Sequence, residues 1–434
     1  MRRYAWLILV GILLLAASVG GEEIDVTVRF GLFGISGIIP DYTYLGELEV
    51  DCGTSGLWLG LSEGFLGSSK EELHTRKFRE FVEYGVTPIV SVYVNDVNPD
   101  AARWAEEIAR YYSSGQGAID VGIPVLYWEL GDEQNGTWGT SCAPEEYARR
   151  VSILAPAIRR GCPECQIVLG GLLDGPEMGD WALEPYLRTF LAAGGTEWID
   201  VYAFHYYGLA RPDPALPDAE LYNSAETIVT NMRAALAEYG AEECPIWVTE
   251  TSTFSGGMGS IEQSESEQAA DLVKRFALLW SLGIEVAQWC YVTESHFEGT
   301  GMGFFDQCGL VYDGEGPYDR GAGVKKRAYQ AYVELIRRLR GAQFIRRTTQ
   351  NGVSSVQFAT PAGAVSVLWQ DPWVRTGPVW IEAETSVVVA GICGESIGEF
   401  SGTFHLDLDI EPVYLMGNVK AVSFAAPPLQ APDS

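Results

Sequence analysis

Residues 87–94 (TPIVSVYV), residues 100–112 and residues 125–130 (VLYWEL) decide the fold of this chain. The first run is apolar and rich in β-branched residues, as is typical of a strand covered on both faces. Residues 100–112 have apolar side chains at helical spacing and follow the turn sequence Asn98-Pro99-Asp100. Strand, helix and a second apolar strand together predict a parallel β–α–β unit.

The same alternation continues along most of the chain. Strand-like runs are found at residues 26–33, 55–61, 87–94, 125–130, 166–171, 198–206, 245–249 and 284–291. Helical runs are found at residues 70–84, 100–112, 144–160, 180–193, 225–239, 264–282 and 324–339. Eight strands alternating with helices predict an α/β fold, a (β/α)8 TIM barrel over residues 21–340. An open doubly wound sheet would give the same alternation.

From about residue 341 the pattern changes. Short strands separated by turn residues occur at residues 354–358, 364–369, 379–383, 387–389 and 413–416, without a helical run. This predicts a small antiparallel, β-sandwich-like accessory domain over residues 341–434. Its Pro-rich end, residues 425–434, is expected to be a loose tail.

The first 20 residues have the features of a secretory signal peptide. Arg2 and Arg3 precede an apolar run that ends near residue 17, and small residues follow it. The run is shorter than the ~17–25 residues that a spanning helix needs. We therefore expect cleavage near Gly20 and a protein that is secreted or is located in the periplasm or at the extracellular surface. An uncleaved anchor is the alternative.

Composition narrows the possible partners. Hydrophobic residues make up 47% of the chain, which favours a large packed core over disorder. The net charge of −29 predicts no nucleic-acid partner, since phosphate binding requires clustered basic residues. After signal removal no stable membrane insertion is expected. The sequence does not determine the oligomeric state.

The cysteines and histidines favour no metal site. Cys162 and Cys165 form a lone CxxC, and neither a second CxxC nor a His pair is available to complete a zinc site. A local disulfide or two inert thiols are the alternatives for this pair in an exported chain. No metal or organic cofactor is implied.

Two glutamates at strand ends are the candidates for catalysis. Glu133 follows the fourth predicted strand in YWELGDEQNG, and the strand's alternation puts it on the same side as Glu129. Glu250 ends the seventh strand in IWVTETS. One such glutamate alone is often a helix cap or an ion-pair partner. All strands of a barrel end on one face, so two glutamates at strand ends can face each other across a substrate. Cleavage of a glycosidic bond needs such a pair of carboxyl groups.

These segments resemble those of a known group of enzymes. WELGDEQN and IWVTETS are similar to the acid/base and nucleophile segments of clan A retaining glycoside hydrolases, most like family 39. The resemblance implies Glu133 as acid/base and Glu250 as nucleophile in a double displacement. It also implies that His205 and Tyr207, in DVYAFHYY, lie beside the nucleophile, and that Trp289 floors the sugar site.

One position departs from the clan pattern. Asp132 stands where these enzymes usually have Asn beside the 2-hydroxyl of the sugar. An ionised Asp can only accept hydrogen bonds, and it would oppose ionisation of Glu133 if the two lie close together. Asn135 and Trp138, in the following loop, are further candidates for contact with a carbohydrate substrate.

Three functions therefore remain open. The first is an exported retaining glycoside hydrolase acting on an oligo- or polysaccharide. The second, suggested by Asp132, is a catalytically silent barrel that binds a polysaccharide. The third is a transglycosylase that uses the same two carboxylates. The sugar, the linkage and the choice between exo and endo action depend on loop residues, because one fold supports many substrates.

Overall fold

The structure of the 434-residue chain, a computed structural model, describes residues 13–19, 22–37, 39–95, 97–98, 100–137, 141–295 and 299–423. The basic head of the predicted signal peptide, its cleavage point, Trp138 and the predicted tail lie outside these residues. Strands Leu13–Val19 and Glu22–Val28 pair in an antiparallel arrangement.

Parallel strands paired in chain order form the barrel. They are β1 (Phe33–Ser36), β2 (Cys52–Gly60), β3 (Thr87–Tyr93), β4 (Tyr127–Leu130), β5 (Gln166–Leu169 and Leu172–Leu173), β6 (Tyr202–Tyr207), β7 (Ile246–Ser252) and β8 (Ala287–Cys290). β8 pairs with β1, so the sheet closes on itself as in a (β/α)8 barrel and not as in an open doubly wound sheet. The predicted fold class is confirmed.

Strand β5 is interrupted at its centre. Its first part pairs with β4 and its second part with β6, and a bridge between Val168 and Val201 joins the first part to the chain just before β6. Gly170 and Gly171 separate the two parts. A Cβ on Gly170 would lie 2.4 Å from the carbonyl carbon of Gly131, so only glycine allows the two backbones to approach this closely.

The first barrel strand begins later than the sequence indicated. Residues 26–28 belong to the antiparallel pair and β1 starts at Phe33, whereas the prediction was a strand over residues 26–33. Between the two strands, the ring of Phe30 stacks on Tyr127 with centroids 4.5 Å apart. A continuous apolar run marks burial, but it does not show where strand pairing starts.

Helices follow the barrel strands along the chain. The longer ones are α1 (Ser69–Glu83), α2 (Ala101–Ser114), α3 (Pro144–Gly161), α4 (Leu183–Ala192), α5 (Ser224–Glu238), α6 (Glu265–Ser281) and α7 (Arg327–Leu339). Shorter segments are Thr43–Leu48, Gln116–Val121, and the 3-10 turns Pro176–Trp181 and Gly195–Glu197. In the part of the chain that the structure describes, none of the helices combines the length and the apolar composition required to span a bilayer.

Alternate residues of the strands face the barrel interior. The lower interior is filled by an apolar cluster made of Cys52, Ile89, Val168, Val201, Ala203, Trp247 and Val286. Two and four residues further along the same strands, the inward positions reach the mouth of the barrel. They include Ser91 and Tyr93 on β3, Glu129 on β4, and His205 and Tyr207 on β6.

The C-terminal strands form two antiparallel sheets. They are β9 (Gln343–Gln350), β10 (Val353–Thr360), β11 (Gly363–Gln370), β12 (Val379–Ala383), β13 (Val387–Gly391), β14 (Ser396–Phe400), β15 (Thr403–Leu406), β16 (Val413–Met416) and β17 (Val419–Ser423). One sheet has the order β9-β10-β11-β16-β13-β14 and the other β15-β12-β17. A shared apolar cluster, including Leu368 from one sheet and Ile381 from the other, lies between them. The predicted antiparallel β domain is confirmed.

The chain divides into two compact units. The first contains all eight barrel strands and comprises the described parts of residues 1–207, 224–252 and 282–295. The second comprises residues 208–223 and 253–281 and the described residues after 296. Helices α6 and α7 belong to the second unit because they pack on each other and on strands of the β domain. In the first unit Cys162 and Cys165 form a disulfide, the first of the two alternatives for this pair.

Candidate active site

The turn after β4 positions Glu133. Gly131 has a φ of +92° and Glu133 a φ of +48°, so the chain turns sharply as soon as the strand ends. The left-handed conformation costs a residue with a side chain about 1–3 kcal/mol, and such strain is often found at functional sites. The amide of Glu133 donates to the carbonyl of Gly171 at 2.9 Å, which ties the turn to the interrupted strand β5.

A bulge in β7 positions Glu250. Val248 is opposite Phe204 and Glu250 is opposite His205, so β7 has one residue more than β6 at this point. In a regular strand, Thr249 and Glu250 would point to opposite faces. The extra residue lets both side chains face the interior, where each contacts residues of β6.

His205 lies between the two glutamates. Its Nδ1 is 2.8 Å from Oε1 of Glu133 and 3.8 Å from Oε2 of Glu250. Its Nε2 is 3.0 Å from the hydroxyl of Thr249. The ring is 1% exposed, and a Cβ on Gly171 would lie 2.1 Å from Nε2, so the backbone of β5 forms the floor under the imidazole.

Hydroxyl groups hold the carboxylate of Glu250. Tyr207 donates to Oε2, and Ser36 donates to Oε1 at 3.3 Å. The hydroxyl of Thr54 lies 3.0 Å from that of Ser36 and 2.9 Å from Oε1 of Gln288. The sequence interpretation did not include Ser36, Thr54 and Gln288. Their polar side chains at inward positions of three barrel strands were the available signal.

The charges of the site keep His205 protonated. Burial alone would lower the pKa of His205, but the charge of Glu250 and the hydrogen bond that Nδ1 donates to Glu133 outweigh it and raise the pKa to about 10. Both ring nitrogens therefore carry hydrogen at neutral pH, and Thr249 accepts from Nε2. Thr249 in turn hydrogen-bonds Glu129, whose pKa burial raises to about 7. Glu129, placed on this side by the strand alternation, was not among the predicted site residues.

Asp132 is the third carboxyl group at the mouth. Its Oδ1 lies 3.8 Å from Nδ1 of His205, and its side chain is 26% exposed. Burial and the charge of Glu250 raise the pKa of Asp132 well above its ordinary value. An acid held in its neutral form has one donor and one acceptor, as an amide does. The ionised Asp132 that the sequence interpretation assumed is thus disfavoured by its surroundings.

The same atoms do not make a good metal site. Asp132, His205 and Glu250 offer ligand atoms within 4.8 Å of one another. Nδ1 of His205 is already bonded to Glu133 at 2.8 Å, and a protonated ring nitrogen has no lone pair for a metal. A metal would have to displace this proton and break the bond to Glu133.

The structure brings together five of the seven predicted site residues, Asp132, Glu133, His205, Tyr207 and Glu250. Asn135 and Trp289 do not join them, and Trp138 lies outside the described residues.

The side chain of Asn135 binds only backbone in the described part of the chain. It bonds the amide of Leu173 at 2.9 Å, the carbonyl of Leu173 at 2.7 Å and the carbonyl of Trp181 at 2.9 Å. These bonds occupy its amide group and fix the loop that follows Glu133. The role of Asn135 is therefore to support the loop and not to face the substrate.

Trp289 is 0% exposed. It alternates along β8 with Gln288, whose side chain contacts Thr54 in the interior, so Trp289 points outward, away from the mouth. Another aromatic residue, Tyr291, follows directly after β8. Its ring occupies the space beside Gly37, where a Cβ would come within 2.0 Å.

Comparisons by sequence gave no match, either to a family model or to a curated protein. Solved structures do match. The chain is similar to a family 39 glycoside hydrolase from the gut symbiont Bacteroides cellulosilyticus, with 16% identity over 89% of this chain and 80% of that chain and a TM-score of 0.66. It is also similar to a glucosidase from Croceicoccus marinus (15% identity, 89% and 95% covered, TM-score 0.61). A third is a family 51 alpha-L-arabinofuranosidase from Bifidobacterium longum (12% identity, 92% and 98% covered, TM-score 0.61).

At these identities the likeness establishes the fold. The barrel and the C-terminal β domain match the fold of clan A glycoside hydrolases, the clan that the sequence resemblance indicated, and a family 39 enzyme is among the similar structures.

Proposed function

We propose that this protein is a retaining glycoside hydrolase with Glu250 as the nucleophile and Glu133 as the acid/base. The observation that carries the proposal is the approach of both carboxylates to one nitrogen, Nδ1 of His205, at 2.8 Å and 3.8 Å. The two carboxylate oxygens can be no further apart than the sum of these two distances. They would reach this limit only if the two oxygens and Nδ1 were collinear. This favours the ~5–5.5 Å separation of retaining enzymes over the ~6.5–9.5 Å of inverting ones.

In the first step, Glu250 attacks the anomeric carbon while Glu133 protonates the glycosidic oxygen. The bond between the anomeric carbon and that oxygen breaks, and the alcohol leaves with the proton of Glu133. Tyr207 and Ser36 supply the hydrogen bonds that orient the carboxylate of Glu250 for attack. Nδ1 of His205 lies 2.8 Å from Oε1 of Glu133 and holds this carboxyl group in place through both steps.

In the second step, water attacks the anomeric carbon of the sugar bound to Glu250. Glu133 takes a proton from this water, and the carboxylate of Glu250 leaves, which restores the starting state with the original anomeric configuration. Asp132, in its neutral form, can donate to a sugar hydroxyl in both steps, as the amide it replaces would.

Kinetics of two variants test the roles. Glu250→Ala should lose nearly all turnover, and azide should restore it with inverted product. Glu133→Ala should lose most activity on substrates with poor leaving groups and keep more on activated aryl glycosides, which need little protonation. The matched control is Glu83→Ala, at the exposed C-terminal end of α1, and it should retain wild-type rates.

Proton NMR of the first product gives the stereochemistry. The substrates tested should include β-glucan, arabinan, xylan and the aryl glycosides of their sugars. This panel is chosen because the similar structures include a glucosidase and an arabinofuranosidase. Retained configuration supports the mechanism, and an inverted first product contradicts it. Binding of a glycan without release of reducing ends would favour the silent barrel. Products longer than the substrate, formed when acceptor sugars are added, would favour the transglycosylase.

We also propose that the protein is exported. The support is the basic head and short apolar run within residues 1–20. Intact-mass measurement of protein recovered from the culture fluid or periplasm should show a chain that begins near residue 21. A mature chain that still begins at Met1 would contradict cleavage.

A further inference from the structure

A second depression opens beside the proposed catalytic centre. It has a volume of about 260 Å³, and its lining includes Trp58, Ser62, Phe65, Lys70, His74 and Tyr93. None of these residues takes part in the catalytic steps described above. Three of them are aromatic and three carry polar groups, a combination that suits a ligand with flat apolar faces and hydroxyl edges.

The strand register places this depression at the mouth of the barrel. Trp58 on β2 is opposite Ser91 on β3, and Ser91 is opposite Glu129 on β4. Because paired residues of neighbouring strands point to the same side, Trp58 faces inward like Glu129. Tyr93 is two residues further along β3 and has the same orientation.

The end of β3, which carries Tyr93, is bonded to the turn that follows β4. The amide of Gly131 donates to the carbonyl of Val92 at 2.9 Å, so the end of β3 lies against the start of the turn that carries Asp132 and Glu133. A glycan bound across the two glutamates would therefore extend over the end of β3 when it runs in that direction.

The lining presents ring surface to solvent. The rings of Trp58 and Tyr93 are nearly perpendicular, at 86°, with centroids 6.1 Å apart, and Tyr93 is 40% exposed. Its hydroxyl accepts from Asn95 at 2.9 Å, which orients the ring. Tyr93 therefore presents a ring of fixed orientation to solvent beside Trp58, an arrangement that is well suited to stacking on a sugar.

A buried polar group also lines the depression. His74 is 5% exposed, and its Nδ1 has no hydrogen-bond partner among the described residues. Burial lowers the pKa of His74 to about 4, so the ring is neutral at the pH of most assays. Ser62 and Lys70 add polar groups at the exposed edge. A hydrogen bond between His74 and the backbone of Trp58 ties the imidazole to the end of β2 and so helps to fix this wall of the depression.

We propose that this depression, formed by Trp58, Tyr93 and His74, binds a sugar unit of the glycan distant from the bond that is cleaved. The inference rests on the proposed function and extends it. It assigns the protein to oligo- and polysaccharide substrates with at least one sugar beyond those at the two glutamates. The net charge of −29 argues against a polyanionic occupant such as nucleic acid.

The test compares a long and a short substrate. The long one is the longest gluco-, arabino- or xylo-oligosaccharide that the wild type cleaves, and the short one is the aryl glycoside of the same terminal sugar. Trp58→Ala and Tyr93→Ala should each lower the ratio of kcat/KM for the long substrate over the short one by about tenfold, the size of one lost aromatic contact. Tyr93→Phe keeps the ring and should keep most of the ratio.

The matched control is Tyr239→Ala. Tyr239 is 39% exposed in the same compact unit, but it follows the C-terminal end of α5 and so lies at the opposite end of the barrel. Its variant should leave the ratio unchanged. Because Tyr93 is exposed, Tyr93→Ala should fold even if Trp58→Ala does not.

The outcomes separate the two proposals. A wild type that cleaves both substrates, together with an unchanged ratio in folded Tyr93→Ala, would overturn the sugar-binding depression and leave the catalytic proposal intact. A wild type that cleaves nothing on the panel would overturn the proposed function, and the inference with it.

Discussion

Gly171 is the position where a single methyl group tests the arrangement of the site. A Cβ at this residue would lie 2.1 Å from Nε2 of His205 and 2.8 Å from the hydroxyl of Thr249. The φ of Gly171 is not in the left-handed range that favours glycine, so Gly171→Ala acts through the contact and not through the backbone. The imidazole has to move, because β5 is held on both sides by its neighbours.

The size of the movement follows from these distances. Ordinary contact with a Cβ begins at 3.4 Å, so Nε2 must retreat from 2.1 Å to at least that distance. A shift of this size stretches the 2.8 Å bond between Nδ1 and Glu133 beyond the range of a hydrogen bond or drags the carboxylate with it. Misplacing a catalytic group by about 1 Å can cost about 100-fold in rate, so we expect kcat/KM of Gly171→Ala to fall by about that factor.

The assay needs a control with the same steric conflict elsewhere. A Cβ on Gly195 would also come within 2.1 Å of a ring, that of Phe190, but Gly195 lies before the start of β6, at the other end of the barrel. Each variant should lose about 1–3 kcal/mol of the free energy of unfolding, measured in urea, from overpacking. Only Gly171→Ala should lose kcat/KM. Wild-type kcat/KM in folded Gly171→Ala, or an equal loss in both variants, would refute the role assigned to His205.

Three further outcomes are expected. The raised pKa of Asp132 means that this group loses its proton above the ordinary aspartate range, so activity should fall as the pH rises through it. Asp132→Asn keeps a donor at every pH and should shift this falling limb of the pH–activity profile upward. Thr249→Val should lower the free energy of unfolding by about 1–3 kcal/mol, because it leaves the buried Nε2–H of His205 without an acceptor. Urea titrations measure this loss, and Thr249→Ser, which keeps the hydroxyl, is the control. Lys274→Met should cost about 3–5 kcal/mol in the same titration, because Lys274, 1% exposed, pairs with Asp371 at 3.0 Å and its loss leaves that carboxylate unpaired. A loss below 1 kcal/mol would contradict the stabilising role of this buried ion pair.

The raised pKa of His205 makes the stability of the folded chain depend on pH. Its folded-state pKa of about 10 lies above the ordinary value of 6.5, so its contribution to stability is complete below pH 6.5 and is lost as the pH rises towards 10. Thermal melts across this range should therefore show falling stability, and His205→Gln should flatten the slope.

The alternation of strands and helices could be predicted from the sequence because it is local. Apolar runs of strand length and amphipathic runs of helix length reflect the pattern of burial of a (β/α)8 barrel, and strand ends follow from where those runs stop. Glu133 and Glu250 were therefore identifiable as facing residues before any side chain was placed. Hydrolysis of a glycosidic bond needs two carboxyl groups that face each other, and the sequence was sufficient to predict both strand ends that carry them.

The direction and the protonation of the side chains depend on tertiary structure. The bulge in β7 lets Thr249 and Glu250 face the same side, and an unbroken alternation cannot reveal an inserted residue. The apolar run that contains Trp289 does not show which of its residues face inward, and the interior contact of Gln288 shows that Trp289 faces outward.

Asp132 is the residue whose interpretation changes most between the sequence and the folded structure. Read in the sequence, it is an ordinary aspartate that departs from a pattern. In the folded chain, burial and the charge of Glu250 on β7 oppose its ionisation, and in its neutral form it has the donor that an amide would have. Local sequence determines which groups are present and on which elements they lie. Their protonation is decided only when the barrel closes, because electrostatic energy depends on the distances among groups from strands far apart in the chain.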